Sequence, residues 1–374
     1  MRAFLLSNVI TGVATLFALC FSTAHGQVSP NFVPVYQQGD PGAGIGGYDL
    51  MRSSDRAFAF DYNSSGKLDH LVLYRPGTGT IWILKNSGGT FSPLYHQGDP
   101  GTGIGGYDLK SPADRAFAFD YDGTGKLDHL VLYRPGTGTI WILKNSGGTF
   151  SPVYHQGDPG TGISGYDLMR PSDRVFAFDY DGTGKLDHLV LYRPGTGTIW
   201  ILKNSGGTFS PVYHQGDPGT GIGGFDLMRP SNRAFAFDYD GTGKLDHLVL
   251  YRPGTGTIWI LKNSGGAFSP MYHQGDPGTG IGGYDVKSPA DRAVAFDYDS
   301  TGKRDHLALY RPGTGTMWIL KKNTQQNNPQ QVIPLATMAV VGPVYLDDCN
   351  PWTVTGTDRL RPQPRPGARE KVST

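Results

Sequence analysis

The sequence predicts an all-β protein, a five-bladed β-propeller of four-stranded antiparallel blades. Three observations predict it: an acidic stretch that begins at residues 61, 120, 179, 238 and 297 and so recurs every 59 residues, four strand-like runs in each repeat, and a spare outer strand near the N-terminus. A repeat of roughly this length is typical of propellers, solenoids and arrays. Helix is not expected, because every acidic residue except Glu370 is Asp, which favours turns.

The third repeat shows the predicted layout of one blade. Strand-like runs at residues 174–180, 188–193, 198–203 and 209–214 are rich in β-branched and aromatic residues, and clusters of Gly, Pro, Asn and Asp separate them. Short runs between such turn residues indicate hairpins. The fourth run contains Pro211, and proline is tolerated at a sheet edge, so this run is expected to be the outermost strand.

The second and third runs are apolar at successive positions, which predicts a sheet that is buried on both faces between two other blades. Each third run carries one tryptophan. We interpret this residue as part of the core between blades, and a ligand platform is the alternative. The five tryptophans are Trp82, Trp141, Trp200, Trp259 and Trp318.

The two ends of the repeat region predict how the ring closes. Residues 33–37 have the pattern of an outer strand although no inner strand precedes them, and the fifth repeat loses its pattern after Lys322. Every strand type therefore occurs five times only if the N-terminal strand completes the fifth blade. Such closure would leave no free sheet edge, whereas an open solenoid would need dissimilar polar caps.

The flanking segments predict a secreted, extracellular protein. Residues 1–26 combine a charged start, an apolar stretch and a small-residue cleavage site, which is the pattern of a signal peptide. The propeller is expected over residues 27–322, and a linker with a largely disordered basic, proline-rich tail over residues 323–374. The formal net charge of +1 gives no global attraction to nucleic acid, and we expect neither nucleic-acid binding nor membrane insertion.

The acidic stretch has the oxygen pattern of a loop that binds Ca²⁺. Each copy offers side-chain oxygens at positions 1, 3, 5 and 9 and a glycine at position 6, and alternating oxygen donors around a glycine bend suit a hard cation. Crowded carboxylates would repel one another unless a cation lay among them. The alternative is a hairpin turn whose Asp side chains cap nearby N–H groups. The predicted metal ligands are Asp61, Asn63, Ser65, Asp69, Asp120, Asp122, Thr124, Asp128, Asp179, Asp181, Thr183, Asp187, Asp238, Asp240, Thr242, Asp246, Asp297, Asp299, Thr301 and Asp305.

The first repeat is the weakest of the five predicted metal sites. Asn63 and Ser65 replace the Asp and Thr of the second, third and fourth repeats, and Asn63 also begins the only glycosylation sequon that follows residue 26. Glycosylation and metal binding would compete for this side chain.

These loops and blades resemble the FG-GAP/VCBS repeats, which form the propeller of integrin α-subunits and occur in many secreted proteins. That group carries the calcium loop Asp-x-Asp-x-[Asp/Asn]-Gly-x-x-Asp, matched here by Asp179, Asp181, Gly184 and Asp187, with Thr183 at the fifth position. The resemblance implies calcium-binding blades. Because the wider group includes sugar-binding propeller lectins, it also implies a lectin-like role.

Nearly identical blades predict repeated binding sites rather than an enzyme. A catalytic centre on the axis would need different residues from different blades, and the chain lacks a Gly-x-Ser-x-Gly motif. We expect multivalent recognition of a glycan or of a cell-surface or wall polymer through stacking aromatic rings and charged groups that bind hydroxyls. A protein-binding or structural propeller is the alternative, followed by a hydrolase. The predicted ligand-binding residues are Tyr166, Asp167, Arg174, Phe225, Asp226, Arg233, Tyr284, Asp285 and Arg292.

Histidines recur at two positions of the repeat. We interpret them as partly buried hydrogen-bonding side chains at strand ends, and transition-metal binding is the alternative. They are His70, His129, His188, His247 and His306 after the acidic loops, and His96, His155, His214 and His273 in the fourth runs.

Overall fold

The computed structural model describes residues 32–323, which form five four-stranded sheets. No helix among these residues is long and apolar enough to cross a membrane. The predicted signal peptide and most of the predicted C-terminal tail lie outside the described residues. The strands are β1 (Phe32–Gln37), β2 (Arg56–Phe60), β3 (His70–Arg75), β4 (Thr80–Ser87), β5 (Thr90–His96), β6 (Arg115–Phe119), β7 (His129–Arg134), β8 (Thr139–Ser146), β9 (Thr149–His155), β10 (Arg174–Phe178), β11 (His188–Arg193), β12 (Thr198–Ser205), β13 (Thr208–His214), β14 (Arg233–Phe237), β15 (His247–Arg252), β16 (Thr257–Ser264), β17 (Ala267–His273), β18 (Arg292–Phe296), β19 (His306–Arg311) and β20 (Thr316–Lys322).

Each blade is an antiparallel sheet whose innermost strand faces the central axis. The first four blades are β2–β5, β6–β9, β10–β13 and β14–β17, whereas the fifth combines β18, β19 and β20 with β1. β1 runs antiparallel to β20 and places Phe32 opposite Lys322 and Gln37 opposite Trp318. The predicted five-bladed propeller, closed by the N-terminal strand, is confirmed.

The inner strand is shorter than the sequence predicts. The expected run over residues 174–180 ends at Phe178, because Asp179 turns out of the sheet and its carboxylate accepts the backbone N–H groups of Thr183 and Gly184 at 2.9 and 2.7 Å. Pro211 lies in the outer strand as predicted, directly before a bulge.

Polar contacts tie each blade to its neighbours through an apolar core. All six residues of β3 are buried, which fits a sheet that is covered on both faces. The hydroxyl of Tyr133 in the second blade accepts the N–H of Val175 in the third at 2.9 Å. The side-chain amide of Asn145 donates to the carbonyl of Tyr62 in the first blade at 2.6 Å. These bonds satisfy buried polar groups at the seams and fix the position of each blade.

The connections between blades are tightly folded. In the third repeat, Ile163 and Tyr166 exchange two backbone N–H···O bonds of 2.9 Å. Gly162 has a φ of +79°, and a Cβ atom at this position would lie 1.9 Å from the carbonyl oxygen of Tyr166. Only glycine fits this turn. The connection is therefore a tight turn with a defined backbone conformation.

The interpretation of the tryptophans as core between blades is correct only in part. Each indole is half-buried at the outer end of its blade, beneath the connection. The ring of Trp200 lies 5.8 Å from that of Tyr166 at an interplanar angle of 77°, and 5.3 Å from that of His214. Its Nε1 donates to the carbonyl of Gln215 at 2.8 Å. The indole is thereby held in a fixed orientation with part of its surface open to solvent.

Candidate functional site

The acidic loops and the connections lie at opposite ends of the inner strands. The connection of the third repeat leads into Arg174 at the start of β10, and the acidic loop follows Phe178 at its end. The propeller therefore carries two sets of candidate sites, a metal-binding set on one face and a pocket set on the other.

In four repeats the acidic loop brings two carboxylates and an imidazole together. In the second repeat, ligand atoms of Asp122, Asp128 and His129 lie within 4.8 Å of one another. Oδ1 of Asp128 and Nδ1 of His129 are 2.8 Å apart, which is ion-pair distance. Carboxylates and an imidazole that converge in this way are able to hold a cation. The other three clusters are Asp181, Asp187 and His188; Asp240, Asp246 and His247; and Asp299, Asp305 and His306.

The Asp at position 1 does not join these clusters. Both oxygens of Asp120 accept loop N–H groups, from Thr124 at 2.9 Å and Gly125 at 2.7 Å, so this carboxylate caps the loop as the alternative interpretation expected. Burial, with added repulsion from Asp122 and Asp187, raises the pKa of Asp120 to about 6 although the two backbone bonds lower it. The same capping places Asp61, Asp179, Asp238 and Asp297 in the interior of their loops.

The hydroxyl at position 5 supports the loop rather than the cluster. Thr124 donates to Oδ1 of Asp122 at 2.8 Å, and Thr183, Thr242 and Thr301 make the equivalent bond. The predicted four-ligand set is therefore divided into two carboxylates that converge and two side chains that shape the loop.

The first repeat carries no such three-residue cluster among the described residues. Asn63 supplies no carboxylate at position 3, and it is exposed, as is Ser65, while Asp69 lies 2.8 Å from His70. Asn63 is therefore exposed, and the first repeat lacks the position-3 carboxylate that the other four loops have.

On the opposite face, a pocket opens beside the tryptophan. Its cavity volume is about 120 Å³ in the third repeat, where Nη2 of Arg170 comes within 3.9 Å of Asp217. It is about 190 Å³ in the second, where Ser111 occupies the position of this arginine. The lining residues of the third repeat are Gly165, Tyr166, Asp167, Arg193, Thr198, Trp200, Gln215, Gly216 and Asp217.

A buried arginine organises the charged wall of the pocket. Arg193 donates from Nε and Nη2 to Asp173 at 2.7 and 3.0 Å, from Nη2 to Asp167 at 2.6 Å and from Nη1 to Asp217 at 2.6 Å. Its guanidinium also covers the ring of Tyr166 at 5.2 Å. The side chain of Arg193 is 7% exposed, against 56% for Asp167 and 32% for Asp217. A fixed cation thus holds two carboxylates that keep oxygen lone pairs open to solvent.

The network keeps these carboxylates ionised. Partial burial raises the pKa of Asp217, but hydrogen bonds from Arg193, Thr196 and Thr198 outweigh it and hold the pKa below its ordinary value of 3.8. For Asp167, burial is likewise outweighed, by bonds from the Met169 N–H and from Arg193, and its pKa is lowered. The pocket therefore presents anionic hydrogen-bond acceptors at neutral pH.

The fifth pocket is assembled from both ends of the chain. Nη1 of Arg311 donates to Asp40 at 2.5 Å, and Nε1 of Trp318 donates to the carbonyl of Gln38 at 2.9 Å. Closure of the ring by β1 therefore brings Asp40 and Gln38 to Arg311 and Trp318 as well as completing a sheet.

The fourth pocket differs by a matched pair of substitutions. In the other four repeats a tyrosine hydroxyl donates to the buried Asp that precedes the inner strand, as Tyr166 does to Asp173 at 3.1 Å. Here Phe225 lacks the hydroxyl and Asn232 replaces the carboxylate. The amide oxygen of Asn232 still accepts from Nε of Arg252 at 2.8 Å, but its Nδ2 has no partner among the described residues.

The structure separates the predicted ligand-binding residues. The rings of Tyr166, Phe225 and Tyr284 are buried, each with a tryptophan at its edge and a guanidinium over its face, so the prediction that they stack on a sugar is wrong. Asp167 does line a pocket, and Asp167, Asp226 and Asp285 are bound by Arg193, Arg252 and Arg311 respectively. The predicted partners Arg174, Arg233 and Arg292 line the axial channel instead.

The sequence prediction missed the residues that build the pocket wall. Arg193 ends its strand within the repeated Tyr-Arg-Pro-Gly-Thr-Gly segment, and Asp217 precedes a proline in every repeat. The sequence feature that could have identified these residues is a charged residue that recurs next to an apolar strand. The predicted strand-end position of the histidines is confirmed, with His70 and its four equivalents almost fully buried.

Comparisons with known proteins agree with this architecture. Residues 120–190 match the family model for FG-GAP-like repeats, and the other repeats share the same layout of strands and loops. Residues 120–190 are therefore similar to FG-GAP-like repeats, as the sequence resemblance implied, and the described chain is a five-bladed β-propeller. No curated protein sequence matches the chain significantly.

Two solved structures show limited likeness. One is a lectin from Agrocybe aegerita, described as recognising non-reducing terminal N-acetylglucosamine, with 21% identity and a TM-score of 0.40 over 74% of this chain and 67% of the lectin chain. The other is a candidate phosphatase from Bacteroides thetaiotaomicron, with 11% identity and a TM-score of 0.38 over 80% of this chain and 72% of the other. Neither likeness bears on function.

Proposed function

We propose that the protein is a secreted, multivalent glycan-binding propeller and that the pocket beside each tryptophan is its ligand site. One observation carries the proposal: every repeat combines a half-buried indole with two carboxylates that a buried or partly buried arginine fixes in place. Apolar walls with a few placed polar groups are typical of sites for small organic ligands.

The chemistry of the pocket suits a sugar. The open carboxylate oxygens of Asp167 and Asp217 accept hydrogen bonds from hydroxyl groups, whereas the indole of Trp200 offers an apolar surface for the C–H face of a ring. Single sites of this size bind weakly, but several on one rigid disc gain avidity when a polymer engages them together.

We also propose that the acidic loops bind Ca²⁺. Asp122 and Asp128 with their equivalents would hold the ion, and the carboxylate at position 1 would keep the loop in shape. Bound Ca²⁺ would neutralise the converging carboxylates and stabilise the native state. Because the first repeat has Asn63 at position 3, elemental analysis is expected to find four ions rather than five. Chelation should lower the melting temperature, and no bound calcium together with an unchanged melting temperature would refute this part.

A glycan array with the mature protein, followed by calorimetry on the best ligand, tests the ligand site. Trp200→Ala should remove one site and reduce the stoichiometry by one without changing the affinity of the others. The matched control is Val212→Ala, an exposed position on the neighbouring strand β13. Binding that survives replacement of the tryptophan in all five repeats would overturn the pocket assignment. Shortening of the bound glycan would indicate a hydrolase.

A further inference from the structure

The axial channel contains a ring of arginines that the proposed function does not use. The five inner strands surround a cavity of about 210 Å³. The first residue of each inner strand and a tyrosine from each second strand line it. The arginines are Arg56, Arg115, Arg174, Arg233 and Arg292, and the tyrosines are Tyr74, Tyr133, Tyr192, Tyr251 and Tyr310.

Each guanidinium is anchored by one nitrogen only. Nη1 of Arg174 donates to the carbonyls of Pro171, Ser172 and Asp173 at 3.1, 2.8 and 2.8 Å. Among residues 32–323, its Nε and Nη2 have no hydrogen-bond partner, and no carboxylate lies within ion-pair distance of any of the five arginines. Arg193, in contrast, is bound by three carboxylates. The ring therefore keeps unused N–H donors at the channel wall.

The tyrosines add a second set of unused donors. The hydroxyl of Tyr133 accepts the N–H of Val175 at 2.9 Å, and within the described part of the chain no acceptor takes its proton. Burial raises the pKa of Tyr133, although Arg174 and Arg115 lower it, so the hydroxyl stays protonated. A buried phenol usually donates as well as accepts. The missing partner is a hydrogen-bond acceptor on the channel side.

The ring also carries uncompensated positive charge. Burial, followed by the nearby guanidiniums of Arg292 and Arg115, lowers the pKa of Arg56 to about 9. Burial, followed by Arg174 and Arg292, lowers the pKa of Arg233 to about 10. Both groups remain charged at neutral pH, so their mutual repulsion is not relieved by loss of a proton. An anion on the axis would relieve it.

We propose that the arginine ring binds an oxyanion on the propeller axis: a sulfate or phosphate, either free or carried as an ester on a sugar. Guanidinium groups recognise such oxygens with paired N–H donors, and the tyrosine hydroxyls supply further donors. The connections that end at these arginines also form the tryptophan pockets, so the anion site and the pockets share one face. The site stands whether or not the pockets bind glycan.

Thermal melting of the mature protein in sulfate or phosphate, against chloride at matched ionic strength, tests the site. A saturable rise of about 5 °C is expected at a concentration a hundred times the dissociation constant. The double variant Arg115→Gln/Arg233→Gln should lose this rise, since it removes two of the five guanidiniums that face the axis. Arg52→Gln, an exposed position on the same face, should keep the rise. Equal rises in wild type and double variant would overturn the proposal.

A direct measurement covers the case in which the double variant fails to fold. Wild-type crystals soaked in selenate should show anomalous density on the axis within reach of the five guanidiniums, and density only elsewhere would refute the site. To separate the two sources, calorimetry compares inorganic sulfate with a sulfated disaccharide. Tighter binding of the disaccharide, lost when inorganic sulfate competes, would indicate an ester; equal binding would indicate the free anion.

Discussion

Replacing Phe32 tests the closure of the ring. This side chain on β1 is 4% exposed and lies 6.3 Å from the ring of Phe237 in the fourth blade. Phe150 occupies the same position on β9, 6.2 Å from Phe60 in the first blade. If β1 is a true outer strand, Phe32→Ala and Phe150→Ala remove equivalent ring contacts, and each should cost about 3–5 kcal/mol of unfolding free energy, with the partly buried Phe150 at the lower end.

The assay is thermal melting of the two variants beside wild type. At about 2 °C per kcal/mol for a protein of this size, each melting temperature should fall by about 6–10 °C. Val33→Ala is the matched control, because Val33 is the next residue on β1 and is 40% exposed. The closure would be refuted if Phe32→Ala behaved like this control while Phe150→Ala fell as expected.

Three further predictions concern the pockets and the loops. Asn232→Asp should raise the unfolding free energy by about 1–3 kcal/mol, because it removes an unsatisfied buried amide; a lower melting temperature would contradict this. Arg193 contributes to holding the pKa of Asp217 below 3.8, so this carboxylate is ionised above about pH 4. Glycan affinity, and the part of the folding stability that this ionised carboxylate contributes, should therefore be constant from pH 7 to 5 and fall only below about pH 4. A midpoint near pH 6 in a binding titration would contradict this. Gly162→Ala should prevent folding or lower the melting temperature far more than Gly182→Ala. Both glycines have a positive φ, but only at Gly162 would a Cβ atom lie 1.9 Å from a backbone oxygen. Equal losses of melting temperature would show that this contact does not matter.

The strands and the closure of the ring were predictable because both follow from the number of repeats and the number of strands in each repeat. The repeat fixes the number of blades, turn residues mark the strands, and an outer strand without an inner one at residues 33–37 has to pair with the last blade. The predicted strand boundaries were wrong where a polar side chain, rather than a neighbouring strand, binds the backbone N–H groups. Asp179 leaves the predicted strand for this reason.

The pocket could not be predicted in the same way, because its residues meet through tertiary contacts. Tyr166 lies next to Asp167 in the sequence and suggests an exposed recognition loop, yet Arg193 from another strand covers the ring. Asp120 and Asp122 look equivalent as ligands, but only the latter joins the cluster. Sequence spacing shows which donors are available and does not show which of them a folded loop has already used.

The closure of the ring by β1 has a consequence for biosynthesis. Among the described strands, the first to be made pairs with the last. The partner of β1 therefore does not exist until synthesis reaches β20, and contacts of such long sequence separation form slowly. Until then the fifth blade has an open edge, and β1 of a second molecule fits it equally well. Such an exchange would join two propellers by a shared strand. A local excess of nascent chains would therefore favour swapped dimers, each built entirely from native contacts.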